Sequence, residues 1–207
     1  MMIVAVVNTK GGSGKTTVAT HLAAHFARRG LATGLADLDR QQSSAGWLAR
    51  RPYTLPAIHP VDLETGKPPK EIARLVVDAP AALKRKAVAD VVEAADVLVI
   101  PVLPSIFDED GTLRFLKHLE TIKPVKKGKR DICFVANRVK LRTRAAERLD
   151  AFLAELTYPV MARLRDTQSY ANLAVEGGSL FDAQTARLAD YRAEWQPLLD
   201  YLDNCAP

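Results

Sequence analysis

The stretch "NTKGGSGKTT", residues 8–17, stands between an unbroken apolar run, "MIVAVV" at 2–7, and "TTVATHLAAHFARRG" at 16–30. A β-branched run without polar alternation is what a strand covered on both faces requires. The segment after it carries alanine and leucine at helical spacing and stops at Gly30. A glycine-rich turn joining strand to helix lets backbone N–H groups point inward at a helix amino end, where they wrap anions. Residues 9–16, "TKGGSGKT", therefore read as a phosphate-binding loop. The strict pattern asks for glycine at position 9, where this chain has Thr9. Gly11, Gly12 and Gly14 keep the backbone freedom, and Ser13 and Thr17 belong to the same cradle. Lys15 is placed to meet the β- and γ-phosphates, and the Thr16 hydroxyl to coordinate Mg²⁺.

Outward from this loop, strand-like and helix-like segments alternate. "LATGLADLD", "IARLVVDAP", "ADVLVIPV" and "DICFVAN" repeat the strand pattern. Helices are expected at about 83–95, 110–122, 144–157 and, as one long final element, 184–203. Strict alternation predicts an α/β three-layer sandwich: a mostly parallel twisted sheet with helices on both faces, in one domain over residues 1–207. The proline-rich stretch 50–70 has no periodicity and reads as a surface loop. In such sheets ligands collect beyond the carboxyl ends of the strands. Asp37 and Asp39 in "GLADLDRQQ", Asp78 in "LVVDAP" and Asn137 in "CFVAN" all fall there.

Composition narrows the function classes. The longest apolar runs are too short to cross a bilayer, and the opening residues lack the basic region of a signal peptide, so a cytoplasmic protein is expected. The two cysteines, Cys133 and Cys205, form neither a metal pair nor a disulfide framework. His21 and His25 have the four-residue spacing of metal ligands, but Leu22 stands where a zinc protease carries its glutamate, and both read as helix-surface histidines. The net charge of +5 is unevenly placed. Residues 117–165 hold thirteen Lys or Arg against five acids, whereas 166–207 hold two against seven.

With Lys10 included, the loop has the KGGxGKT form of a deviant Walker A motif, and the chain resembles the ParA/MinD family of P-loop ATPases over nearly its whole length. That resemblance implies ATP and Mg²⁺ as cofactors. It implies that Lys15 serves the subunit's own ATP while Lys10 crosses a two-fold interface to the nucleotide of the other subunit. Asp39 matches the aspartate that orients the attacking water near Mg²⁺, although Arg40 replaces the usual proline of the DxDPQ form. Asp78 matches the Walker B acid that holds Mg²⁺ through a water. Asn137 and Arg138 match the Asn-Arg pair whose asparagine meets the adenine edge, and "RDTQSYANLAVEGGSLFD" resembles the segment packed against the base.

Within the family, ParA-like proteins close into ATP-bound homodimers that hold double-stranded DNA without regard to sequence, until an adaptor protein stimulates hydrolysis. Lys140, Arg142 and Arg144 in "NRVKLRTR", with Arg163 and Arg165 in "MARLRD", are the candidate DNA contacts, expected on loops at the sandwich edge. This reading implies a nucleoid-associated protein. MinD-like membrane attachment is disfavoured because the final apolar stripe, Leu188, Tyr191, Trp195, Leu198, Leu199 and Leu202, faces a side bearing Asp190, Glu194, Asp200 and Asp203. Of the metabolic relatives of the fold, the reductases need paired cluster cysteines that Cys133 and Cys205 do not match, and the synthetases need a substrate pocket for which this sequence offers no recognisable residues. MinD- or MipZ-like positioning of the division apparatus, or a metabolic ATP-dependent synthetase of the same fold, stays an alternative.

Overall fold

A computed structural model describes residues 1–63, 66–81, 85–183 and 185–205. Seven strands form one sheet in the order β3-β2-β4-β1-β5-β6-β7, and every pairing is parallel. They are β1 (Met2–Val6), β2 (Thr33–Asp37), β3 (His59–Pro60), β4 (Arg74–Asp78), β5 (Val97–Val102), β6 (Asp131–Val139) and β7 (Val160–Arg165). The helices are α1 (Lys15–Arg28), α2 (Ser43–Arg50), α3 (Arg85–Ala94), α4 (Ile106–Leu119), α5 (Lys123–Lys126), α6 (Arg144–Ala154), α7 (Ser169–Val175), α8 (Ala189–Ala193) and α9 (Gln196–Asn204). The expected α/β sandwich with helices on both faces is what the chain adopts.

The apolar run at the amino end explains the layers. Met2, Val4 and Val6 point into a core shared with Leu22, Phe26 and Trp195, while Ala5 and Val7 point into a second core shared with Leu98, Phe115 and Leu149. A strand with both faces covered cannot alternate polar and apolar residues, which is why β1 reads as continuous hydrophobicity. Helix α1 ends in a Schellman arrangement: Gly30 N donates to Ala27 O at 3.0 Å and Leu31 N to Phe26 O at 3.1 Å. Gly30 has φ +77°, so the glycine that ends the helical pattern does so for a conformational reason.

β1 sits mid-sheet between β4 and β5. From it the chain builds first toward β2 and β4 and then toward β5 and β6. That reversal opens a crevice at the carboxyl edge beside β1. The register Val6↔Asp78 and Asp37↔Asp78 brings Asp37, Asp78 and the start of the phosphate loop to one level of that edge.

Three expectations change. The stretch read as loop contributes β3 to the sheet edge, and Ile58 and Val61 are buried. Arg163 and Arg165 lie on strand β7, not on loops; its alternating burial puts Ala162 and Leu164 inward and the arginines beside acids. The long final helix is three pieces, a 3₁₀ turn at Ala186–Leu188, then α8 and α9, with Pro197 in the first turn of α9. Its stripe packs on the domain, with Trp195, Leu198 and Leu202 fully buried. Positions 83, 84 and 184 of the expected helices lie outside the described residues. Among those described, no helix is long and apolar enough to cross a membrane.

Candidate functional site

The phosphate loop is held from below by its own chain. Asn8 is buried; its amide donates to Pro101 O at 2.6 Å and its Oδ1 accepts from Lys10 N at 3.0 Å. The Lys10 carbonyl in turn accepts from Ser13 Oγ at 3.2 Å and from Lys15 Nζ at 3.2 Å. Gly12 and Gly14 take φ +77° and +91°, which a side chain would resist. A Cβ on Gly14 would fall 2.0 Å from Asn137 Nδ2, so the close approach of β6 to the loop also requires glycine.

Two acids converge on Lys15. Burial lowers its pKa from the ordinary lysine value, while the charges of Asp78 and Asp39 oppose that shift. Asp78 is 1 % exposed at the end of β4. Burial pushes its carboxyl up to about 6, and the Asp37 charge adds to the rise, while Thr16, Ser44 and Lys15 pull the other way. Its Oδ2 has no hydrogen bond of full geometry, and neither has the nearby Ser44 Oγ. A buried carboxylate oxygen left without a donor, beside Thr16, fits a divalent cation or a water held by one. The donor set Thr16, Asp39 and Asp78 is all hard oxygen, as Mg²⁺ requires. Bound there, Mg²⁺ would neutralise charge on phosphate oxygens.

Asp39 stands on the wall of the same crevice. Its Oδ1 accepts from Gln41 N at 3.0 Å, and its carbonyl closes a turn with Gln42 N at 2.9 Å. Asp37 does different work: Oδ1 accepts from Asp39 N at 2.9 Å and Oδ2 from Ala45 N at 2.9 Å. It therefore caps α2 from eight residues upstream and fixes the Asp39 turn at the same time.

The crevice encloses a cavity of about 470 Å³ bounded by Gly11, Gly12, Lys15 and Thr16 on one side, Asp39 and Gln41 on another, and Asn137, Arg138, Thr167 and Gln168 at the far end. That is the size range of small-molecule sites. A larger depression of about 960 Å³ beyond Asp39 is lined mainly by leucine, proline and alanine and contains no phosphate-loop residue, so it lacks the chemistry for a triphosphate. Asn137 reaches the cavity with its amide already engaged: Nδ2 donates to Ser13 O at 2.8 Å, and Oδ1 accepts from Arg138 N at 2.9 Å. Arg138 has φ +52°, and its guanidinium pairs with Asp166 at 3.6 Å.

Residues 4–180 match the sequence profile described as the CobQ/CobB/MinD/ParA nucleotide binding domain. The chain belongs to this family. Maintenance of carboxysome distribution protein A of Halothiobacillus neapolitanus is 29 % identical over 186 residues, 86 % of this chain and 85 % of that one. In fold, the chain is similar to apo McdA of Cyanothece, with TM-score 0.76 and 18 % identity over 96 % of this chain and 99 % of that one. It is also similar to the ATP complex of a variant of that protein, with TM-score 0.73 and 16 % identity over 100 % of this chain and 98 % of that one. This family member thus has the ParA/MinD fold, with its phosphate loop, Asp39 and Asn137 lining one crevice and Asp78 buried beside Lys15.

Of the candidate DNA contacts, Arg165 lines this crevice and the others do not. Lys140 shares Asp166 with Arg138, Arg163 pairs with Asp150, and Arg165 pairs with Glu194 while its guanidinium lies 4.9 Å from the Tyr191 ring centre. Among the described residues, Arg142 and Arg144 make no ion pair, and both are exposed. The two histidines are not surface residues. His21 is buried, with Nδ1 within 2.8 Å of Thr17 O and Nε2 accepting from Leu180 N at 3.2 Å, and it stacks on Trp195. His25 meets Asp203. Sequence reasoning passed over Asn8 and Ser44, which carry no motif of their own. It also passed over Gly111 of α4, against which the Lys10 side chain lies.

Proposed function

We propose that this chain is a Mg²⁺-dependent positioning ATPase that closes into a two-fold dimer on ATP, binds double-stranded DNA without sequence preference, and lets go on hydrolysis. The observation that carries the reading is the convergence of Asp78, with its unpartnered Oδ2, and Asp39 on Lys15 within the phosphate loop. Thr16 and Asp78 hold the cation, Lys15 neutralises the β- and γ-phosphates, and Asp39 orients the attacking water. Asn137 steadies the loop and keeps its second N–H for the adenine edge, with Arg138 beside it.

Lys10 is the in-trans cation. Its backbone is fixed on three sides, so only the side chain can travel to a neighbour's triphosphate. DNA is held by the loop between β6 and α6, where Arg142 and Arg144 keep unpaired charge; Lys140, Arg163 and Arg165 are partly neutralised by their acids and contribute less. Phosphate contacts need charge, not base-reading geometry. An adaptor protein stimulates hydrolysis, and the protein is cytoplasmic and associated with the nucleoid. The name of the carboxysome distribution relative supports a protein assembly as the cargo.

Size-exclusion and turnover measurements test this. Lys15→Ala abolishes nucleotide binding, whereas Asp39→Ala keeps ATP bound and accumulates the dimer. Equal turnover in wild type and Asp39→Ala removes Asp39 from the chemistry. A chain that stays monomeric when saturated with a non-hydrolysable ATP analogue and Mg²⁺ removes the dimer switch altogether.

A further inference from the structure

A second group of cations lies far from the nucleotide crevice. Lys123, Lys126, Lys127 and Lys129, on α5 and the turn into β6, are all exposed. None forms an ion pair with any described residue, in contrast to Lys140, Arg148, Arg163 and Arg165. The formal net charge of the chain is +5, so apart from these four lysines the protein is close to neutral. Four exposed lysines within seven residues make a dense basic patch.

The scaffold beneath them is fixed. Lys126 N donates to Ile122 O at 3.0 Å, Lys127 N to Lys123 O at 3.1 Å, Gly128 N to Val125 O at 2.9 Å and Lys129 N to Pro124 O at 2.9 Å. Ile122 and Val125 are buried beneath the turn, and Gly128 takes φ +63° to close it. Arg130 is occupied structurally, donating to Val92 O and Glu93 O. Four ammonium groups are thus displayed on a rigid turn, with like-charge repulsion that only an external anion relieves.

All strands are parallel, so the turn at the amino end of β6 lies at the edge of the sheet opposite the phosphate loop. Eight residue rises separate Asp131 from Val139, which is about 26 Å along β6. Nucleotide binding at one edge therefore leaves this patch open.

We propose that the lysine turn is a second contact for double-stranded DNA, one that acts on phosphates and needs no ATP. Four flexible ammonium groups without an amide or aromatic neighbour in the turn suit backbone charge and cannot read bases. The apolar residues of the turn face inward, so nothing in it inserts into a bilayer. The inference rests on the DNA reading above and refines its last step: release on hydrolysis is a return to weak, salt-sensitive contact through the lysine turn.

The test is fluorescence anisotropy of a random-sequence duplex with the full chain, free of nucleotide, over a salt series. Weak binding is expected, with log affinity falling against log salt at a slope of about −3 to −4 for four phosphates. The variant Lys123→Gln, Lys126→Gln, Lys127→Gln, Lys129→Gln loses this binding at least tenfold, while binding of a fluorescent ATP analogue and ATP-driven dimerisation stay unchanged. Arg142→Gln, Arg144→Gln keeps nucleotide-free binding and loses the part that ATP adds. Absence of nucleotide-free binding at low salt overturns the inference, as does a quadruple variant that binds like wild type. So does a stronger lysine-dependent preference for vesicles rich in phosphatidylglycerol. If ATP adds nothing to DNA binding while the lysine-dependent part persists, the ATP switch fails and the lysine turn stands.

Discussion

Gly111→Ala separates the position of Lys10 from everything else at the site. Gly111 lies inside α4, and a Cβ built on it falls 2.9 Å from Lys10 Cε, 3.4 Å from Cγ and 3.7 Å from Cδ. The obstructed atoms belong to a flexible stem, so the fold accommodates the methyl group by moving the lysine. Alanine is favoured over glycine in a helix interior by about 1 kcal/mol. For a chain of 207 residues that raises the melting midpoint by roughly 2–4 °C. Lys10 is pinned at its backbone by Asn8, Ser13 and Lys15, so its side chain leaves the α4 surface while the loop stays put. The expected variant is more heat-stable, binds the ATP analogue as wild type does, and dimerises on ATP only as well as Lys10→Ala. Thermal scanning, analogue titration and size-exclusion read the three quantities. The double variant Lys10→Ala, Gly111→Ala should lose nothing further, since both changes act through one side chain. A stabilised Gly111→Ala protein that dimerises like wild type refutes the reasoning, because the resting place of Lys10 would then not matter.

Four further outcomes follow from the same geometry. Burial lowers the His21 pKa to about 4 from an ordinary 6.5. The unfolded chain therefore binds the proton first, so stability is lost as pH falls from 6.5 toward 4, by about 3 kcal/mol; urea unfolding of His21→Gln should show a shallower pH dependence than wild type. Gly177 has φ +66°, and an alanine there puts a Cβ 2.4 Å from Arg51 N, backbone against backbone, so the unfolding free energy read from urea titration should fall by at least about 2 kcal/mol. Asp182→Ala leaves the Arg51 guanidinium, whose side chain is 4 % exposed, without its carboxylate, and should cost about 3–5 kcal/mol by the same assay. Asp78→Asn removes a buried charge, so the nucleotide-free protein should melt no lower than wild type while Mg²⁺-dependent ATP affinity falls; unchanged affinity in a calorimetric titration would take Asp78 out of the metal site.

The parts legible in the sequence are those where one local signal dominates. The β1 run, the glycine turn and Gly30 each state their role without outside help. β7 escaped notice because an edge strand buries one face only: Ala162 and Leu164 are a thin signal beside two arginines. The arginines read as free cations because their acids, Asp150 and Glu194, are distant in sequence. His21 read as exposed because its partners, Leu180 and Trp195, arrive from the far end of the chain. α2 has no cap of its own; Gln42 stands at its start with φ +51°, and the carboxylate that satisfies Ala45 N comes from Asp37. Pro197 was visible, but the amphipathic stripe runs through it, so periodicity outweighed the break.

That borrowed cap also shows how the turn is restrained with Arg40 where the DxDPQ form would place proline. Proline restrains a turn by fixing φ and limiting the residue before it. Here the restraint comes from side chains instead. Asp37 binds Asp39 N, Asp39 binds Gln41 N, and Gln42 Nε2 donates to Asp39 O at 3.2 Å. Arg40 itself is exposed and none of these bonds involves its side chain. The far end of α2 is anchored as well, since Arg51 pairs with Asp182 and donates to Gly177 O, and Trp47 Nε1 donates to Gly178 O at 3.0 Å. The Asp39 turn is therefore clamped at one end of a helix whose other end is tied to residues 177–182. His21 ties that same segment, through Leu180 N and Thr17 O, to the helix that begins in the phosphate loop. The two halves of the crevice, loop and carboxylate, are thus braced against a common strut.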